Sequence, residues 1–203
     1  NEFVAGTTYT ETFTVASADG TTSTVTVNIL GTNDAAVLST ATVNLTETNA
    51  ALSTGGALTV SAADSPPSSV APRGTAGTYG TFAINSAGTW TYTASSAHNE
   101  FAAGTTYSET FTVASADGTT STVTVNILGT NDAAVLSSAT VNLTETNAVL
   151  STNGTLTIAD VDSPATFVAQ TGTAGTYGTF AITAAGAWSS TARSAGNECA
   201  GGW

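Results

Sequence analysis

The chain has 203 residues, 41% of them hydrophobic and only 8% charged, so it can bury a core and does not read as a disordered polyelectrolyte. Two arginines and no lysine stand against fourteen acids, for a net charge of −12; that balance repels nucleic-acid phosphate and anionic lipid and favours cations. No apolar run approaches the length of a membrane-crossing helix, and Cys199, the only cysteine, rules out an intrachain disulfide.

From the first residue onward the elements fall on a repeat. Asn1-Glu2-Phe3 recurs as Asn99-Glu100-Phe101 and, with its last residue changed, as Asn197-Glu198-Cys199, an offset of 98. Residues 1–38 match 99–136 at all but two positions, Val4/Ala102 and Thr10/Ser108. A unit of about 100 residues is the size of a domain, not of a solenoid turn. The opening 34 residues therefore hold two strands around Asp19-Gly20. In the second copy, Thr106 to Ala114 alternates with Tyr107, Phe111 and Val113 on one face. Asp117-Gly118 then supplies a hairpin turn, and Thr120 to Leu128 alternates through Val123, Val125 and Ile127. Beyond it, Val141 and Leu143 predict a strand, and Leu156 and Ile158 the next. Asn153-Gly154 falls between these two, at the place of Gly55-Gly56 in the other copy. Tyr177, Phe180 and Ile182 lead through Ala185-Gly186 to Trp188. Threonine and valine, rather than charge, make up these half-buried faces. The expectation is an all-β protein of tandem immunoglobulin-like or cadherin-like β-sandwich modules with a 98-residue period.

Gly129 to Ala134 is small and polar after the last long strand and marks a joint. Residues 1–34 are then the C-terminal third of a module, 35–132 a complete module and 133–203 the leading two thirds of another. In the last copy Ser190 replaces Tyr92, Gly196 replaces His98 and Cys199 replaces Phe101, so residues 189–203 are not expected to form a native strand. Open strand edges of this kind invite pairing. Chains are expected to associate head to tail, one copy's first 34 residues completing another's last module.

The run from Gly175 to Phe180, Ala185-Gly186 before Trp188, the strand carrying Phe111 and Val113 with Asp117-Gly118, and Gly129 to Asp132 together resemble the VCBS repeat. That likeness spans the chain. It implies tandem β-sandwich modules of a very large, exported bacterial surface protein, placed outside the cell and serving adhesion and biofilm. A weaker likeness is to cadherin-type modules. Glu145 and Asn147, then Asp160 and Asp162, with Asn131-Asp132 ahead of the module, are similar to the calcium-binding segments at cadherin joints.

Calcium takes six to eight oxygens in irregular geometry, which an acidic joint can supply from both sides. For the joint at 129–134 the candidate ligands are Glu47, Asn131, Asp132, Asp160 and Asp162; for the earlier one they are Asn33, Asp34 and Asp64, with Ala62 standing where the later copy has Asp160. The competing reading is that Asp and Asn gather in turns for their local hydrogen bonds. Asp19-Gly20 and Asp117-Gly118 are read as hairpin turns, and Trp90 and Trp188 as core residues rather than a sugar platform. His98 has Gly196 as its repeat counterpart, so no triad or zinc site rests on it. The glycines from Gly74 to Gly80 lack the lysine of a phosphate loop. The expectation is a non-enzymatic, calcium-stiffened adhesive or structural segment. Its partners are neighbouring modules and a cell-surface or matrix ligand. The rivals are a direct glycan- or protein-binding module and the appendage of a larger secreted enzyme.

Overall fold

The computed structural model describes residues 3–64, 69–70 and 74–193, with only the backbone of 69–70. The chain forms two compact units, Asn1–Gly129 and Thr130–Trp203. Among the described residues every regular element is a strand.

The first unit contains β1 (Thr8–Ala16), β2 (Thr22–Leu30), β3 (Val37–Leu38), β4 (Ala41–Thr46), β5 (Ser53–Ala57), β6 (Val60–Ser61), β7 (Ser69–Val70), β8 (Thr75–Ala76), β9 (Gly80–Ile84), β10 (Thr89–Ala94), β11 (Thr106–Ser115) and β12 (Thr120–Leu128). Two four-stranded sheets, β5-β10-β9-β8 and β4-β12-β11-β7, supply its core. Phe82, Ile84, Trp90 and Tyr92 come from the first, and Phe111, Val113, Val123, Val125 and Ile127 from the second. Alternation makes this possible: β10 buries Trp90, Tyr92 and Ala94 and turns Thr89, Thr91 and Thr93 outward. Phe111 stacks on Phe82 across the sandwich, centroids 4.8 Å apart and planes 11° off parallel. β11 and β12 are joined at Asp117-Gly118, where Gly118 adopts φ +89°. The last strand, β12, is flanked by β11 antiparallel and by β4 parallel, with Val125 opposite Val43 and Ile127 opposite Leu45.

β1 and β2 repeat the β11–β12 hairpin residue for residue, from Thr8 opposite Leu30 to Ala16 opposite Thr22, but form a sheet of two strands only. Their burial is reversed. Phe13 is 47% exposed where Phe111 is 5%, and Val25 is 49% exposed where Val123 is fully buried.

The second unit contains β13 (Val135–Leu136), β14 (Ser151–Thr155), β15 (Ile158–Ala159), β16 (Gln170–Ala174), β17 (Gly178–Ile182) and β18 (Ala187–Ala192). One sheet, β14-β18-β17-β16, carries Ile182 buried and Phe180 stacked on Trp188 at 6.1 Å.

Three expectations from the sequence change. The strand through Val141 and Leu143 does not form; Ala139–Thr144 is irregular, although the identical hexapeptide Ala41–Thr46 is β4. A backbone without a paired neighbour has no ladder to join, and β4 has β12. Asn153-Gly154 lies inside β14 instead of between strands. The glycine is there for close approach, since a Cβ on Gly154 would meet Trp188 Cζ2 at 2.8 Å, as one on Gly56 would meet Trp90 at 2.9 Å. Residues 189–192, expected to lose their strand, belong to β18, which bonds β14 on one side and β17 on the other. Ser190 removes a ring from the strand but no backbone hydrogen bond. The changes at Gly196 and Cys199 lie outside the described residues.

The duplicated hairpin allows a controlled comparison. Phe111→Ala should cost about 3–5 kcal/mol in urea unfolding, whereas Phe13→Ala, with the same sequence neighbours, should cost less than about 0.5 kcal/mol in dilute solution. Equal losses would mean that both hairpins are buried.

Candidate metal centre

Within the first unit the chain turns from Gly31 into β3, which pairs antiparallel with β6, Val37 opposite Ser61. Carried on three residues, that register sets Asp34 against Asp64, and the Asp34 N–H donates to Asp64 Oδ2 at 3.1 Å. Asn33 donates its side-chain amide to the Asp34 carbonyl at 3.1 Å. Asp64 is buried, and its other oxygen, Oδ1, has no hydrogen-bond partner among the described residues.

The second unit repeats the pairing register but not the hydrogen bond onto the later aspartate. Val135 pairs with Ala159, so the register leads Asp132 to the level of Asp162. Asn131 donates to the Asp132 carbonyl at 2.8 Å. Asp132 is buried, and both oxygens of Asp162 are enclosed without a hydrogen-bond partner among the described residues. Asp160 is differently employed: its Oδ1 accepts the N–H groups of Asp162 at 3.2 Å and Ser163 at 2.9 Å, a local turn of the type Asp favours. Ala62 cannot make this turn in the first copy.

Glu47 belongs to the far end of its module. Its backbone N–H donates to Leu128 O at 2.8 Å, at the end of β12, and its side chain is buried. Asp117, across the hairpin turn from that end, donates nothing but accepts the Ala36 N–H at 2.6 Å. β12 is about 27 Å long at ~3.4 Å per residue, which separates Glu47 from the Asp34–Asp64 pair. Within each unit, among the described residues, no three His, Cys, Asp or Glu side chains converge closely enough to hold a metal ion. The sites are pairs of carboxylates with neighbouring amides and carbonyls.

Asp117 has a second role that its Asp-Gly context does not announce. Ser115, through its hydroxyl, and the Thr119 and Ala36 N–H groups hold its carboxyl well below the usual carboxylate range. Asp19, with Ser17 and Thr21 but no such long-range donor, is lowered to about 2. Local sequence signalled only the turn, because Ala36 lies 81 residues away.

The remaining chemistry-bearing residues are absorbed by packing. Trp90 is 4% exposed, in the core. Tyr92 is fully buried and donates to Glu109, and burial followed by that carboxylate pushes its phenol well above the ordinary value. Glu109 also accepts the Tyr79 N–H at 3.2 Å. His98 sits at φ 61°, a backbone that glycine, its repeat counterpart, adopts without strain. Its Nδ1 is 2.9 Å from Glu100 Oε1 and its Nε2 2.7 Å from the Tyr79 carbonyl, both acceptors, so both nitrogens are satisfied as donors only in the imidazolium. Burial opposes that charge, but the hydrogen bonds to Glu100 and Tyr79 outweigh it and raise the pKa.

The sign of the linkage follows from these directions. His98 is raised, so its contribution is complete below the ordinary imidazole value near 6.5 and is lost as pH climbs through the folded value above it. Asp117 is lowered, so its contribution is present above the ordinary 3.8 and is lost as pH falls through its folded value. Melting temperature should therefore decline on both flanks. His98→Ala should flatten the alkaline flank and Asp117→Asn the acid one; an unchanged profile in either variant would remove that residue from the account.

A comparison with curated proteins finds no match. The two facing sheets, the long β11–β12 hairpin and the acidic turns at the leading end occur within one stretch of about 100 residues, and residues 33–129 match the family model of the bacterial cadherin-like domain.

Proposed function

We propose that the chain is a non-catalytic, calcium-responsive structural segment of a bacterial cell-surface adhesin. The match of residues 33–129 to a bacterial cadherin-like domain supports an extracellular structural or adhesive role. The finer reading, a VCBS-type repeat of a biofilm protein, rests on the residue runs from Gly175 to Trp188 and from Phe111 to Asp132.

The observation that carries the calcium reading is the enclosed Asp162 carboxylate, with Asp64 Oδ1 in the same state 98 residues earlier. A buried carboxylate oxygen without a donor is costly, and a bound cation relieves the cost. The donor set is all oxygen, which suits calcium rather than zinc. Asp34 and Asp64, with the Asn33 amide, would hold the ion in one unit; Asp132 and Asp162, with the Asn131 amide, would hold it in the other. Calcium there supplies charge neutralisation, which orders segments 31–36 and 129–134. Those segments link successive modules, and an ordered link makes a string of modules stiff. With no lysine in the chain, internal ammonium groups cannot do the same.

With a dissociation constant of ~0.1 mM at each site, at the tight end of the range for extracellular modules, ~10 mM calcium should stabilise each unit by about 2.7 kcal/mol over chelator. Asp162→Ala should abolish the part of this shift that belongs to the second unit, and Asp64→Ala the part that belongs to the first. Asp160→Ala should cost about 1 kcal/mol with or without calcium, as loss of a turn-capping side chain. Identical melting in calcium and in chelator would dispose of the metal and leave the structural module.

A further inference from the structure

Within the cadherin-like stretch, residues 33–129, the segment that enters is fastened lengthwise to the strand that leaves. β4 and β12 run parallel, from Ala41 opposite Val123 to Thr46 opposite Leu128. Further bonds extend this pairing beyond both of its ends. At the entering side the Ala36 N–H donates to Asp117 Oδ2 at 2.6 Å and the Ser121 hydroxyl to Ser39 O at 2.7 Å. At the leaving side the Glu47 N–H donates to Leu128 O at 2.8 Å. On the outer face the Asn126 amide donates to Asn44 Oδ1 at 2.8 Å. The side-chain contacts of this column all join residues 81 or 82 positions apart, so the column closes nearly the whole stretch into a loop.

Chain direction decides how such a pair meets a load. The chain enters the stretch at Asn33 and leaves it at Gly129, with residues on either side. Because β4 and β12 are parallel, a pull that separates those two points drags β4 toward its start and β12 toward its end. The backbone bonds run from strand to strand, across the pull, and are evenly spaced along it. They share the load and have to fail together. An antiparallel hairpin loaded at its open ends meets the same pull one bond at a time. Sliding β4 also uncovers apolar surface, since Val43 and Leu45 pack against the core.

We propose that the β4–β12 pair is a shear clamp that makes residues 33–129 a load-bearing unit, and that its rupture sets the force at which the unit opens. That the chain carries load in its natural setting rests on its reading as a structural adhesin segment. The clamp itself does not, and its failure would leave that reading standing, because a spacer need not resist force. The clamp is equally independent of calcium and is tested in chelator.

Single-molecule pulling on the whole chain tests this along two axes, with Cys199→Ser present so that only the chosen attachment points react. Held through Thr32→Cys and Thr130→Cys, the chain is loaded across the clamp, and opening of the unit should release about 300 Å of contour length. Held through Thr48→Cys and Thr130→Cys, both points lie just past the Glu47–Leu128 bond, at the same end of the pair, and the ladder is unzipped instead. The unfolding force should be at least about twofold greater along the first axis, where the bonds share the load. Val43→Pro, which puts a residue without an N–H into the middle of β4, should bring the first axis down toward the second. Asn44→Ala combined with Ser121→Ala, which keeps the backbone pairing, should lower it by less. Phe82→Leu should weaken the unit in urea yet leave the first-axis force nearly unchanged, because the stacking of Phe82 on Phe111 and Trp90 is still intact when the clamp gives way. The same force along both axes overturns the proposal. So does a drop in Phe82→Leu as large as that in Val43→Pro or, should that variant not fold, in the Asn44–Ser121 double variant, since the core would then be failing together with the pair.

Discussion

Phe111 lying flat on Phe82 is the contact on which the complete module depends, because it is where the β11–β12 hairpin closes over the β9–β10 sheet. Around it Val123, Val125 and Ile127 fill the space beneath Trp90 and Tyr92, and the polar groups at the edge of that layer are satisfied in turn. Glu109 takes the Tyr92 hydroxyl and the Tyr79 N–H, and Tyr79 lies edge-on to Phe101. Remove the hairpin and the sheet it covers keeps its backbone ladder but loses its seal. The second unit shows this state: Phe180 and Trp188 remain stacked, while Tyr177 points into solvent.

The ends of the module obey a different constraint. A chain with two arginines and fourteen acids cannot neutralise its carboxylates internally. It disposes of them in three ways. Asp19, Asp117 and Asp160 accept hydrogen bonds within turns, with Asp117 also fastening Ala36. Glu100 lies 2.9 Å from the His98 Nδ1. Asp64 and Asp162 are enclosed with oxygens left over, and those are the positions where a divalent ion has most to offer.

Much was legible from residue order alone. Period-two alternation in Thr106–Leu128 located both strands, and Asp117-Gly118 located their turn. What escaped were features in which one stretch answers to another far along the chain. Asn153-Gly154 resembles a turn, but the indole of Trp188 requires a glycine beneath it inside a strand. Asp117 resembles a turn and nothing more, until Ala36 arrives from the other end of the module. Asp160 and Asp162 look equivalent as candidate ligands, yet one caps its own turn and the other finds no donor for its carboxylate among the described residues.

The sharpest division lies in segments whose sequences are the same. Ala-Thr-Val-Asn-Leu-Thr is a strand at 41–46 and irregular at 139–144, and the Phe and Val of Thr-Phe-Thr-Val are buried in β11 and exposed in β1. Residue order by itself determined the period, the alternation and the turn chemistry, since these depend on neighbours a few residues away. Which copy of each segment becomes strand or core was decided by the tertiary structure alone. Backbone hydrogen bonds and apolar burial both need a partner surface, and identical segments here do not have identical partners.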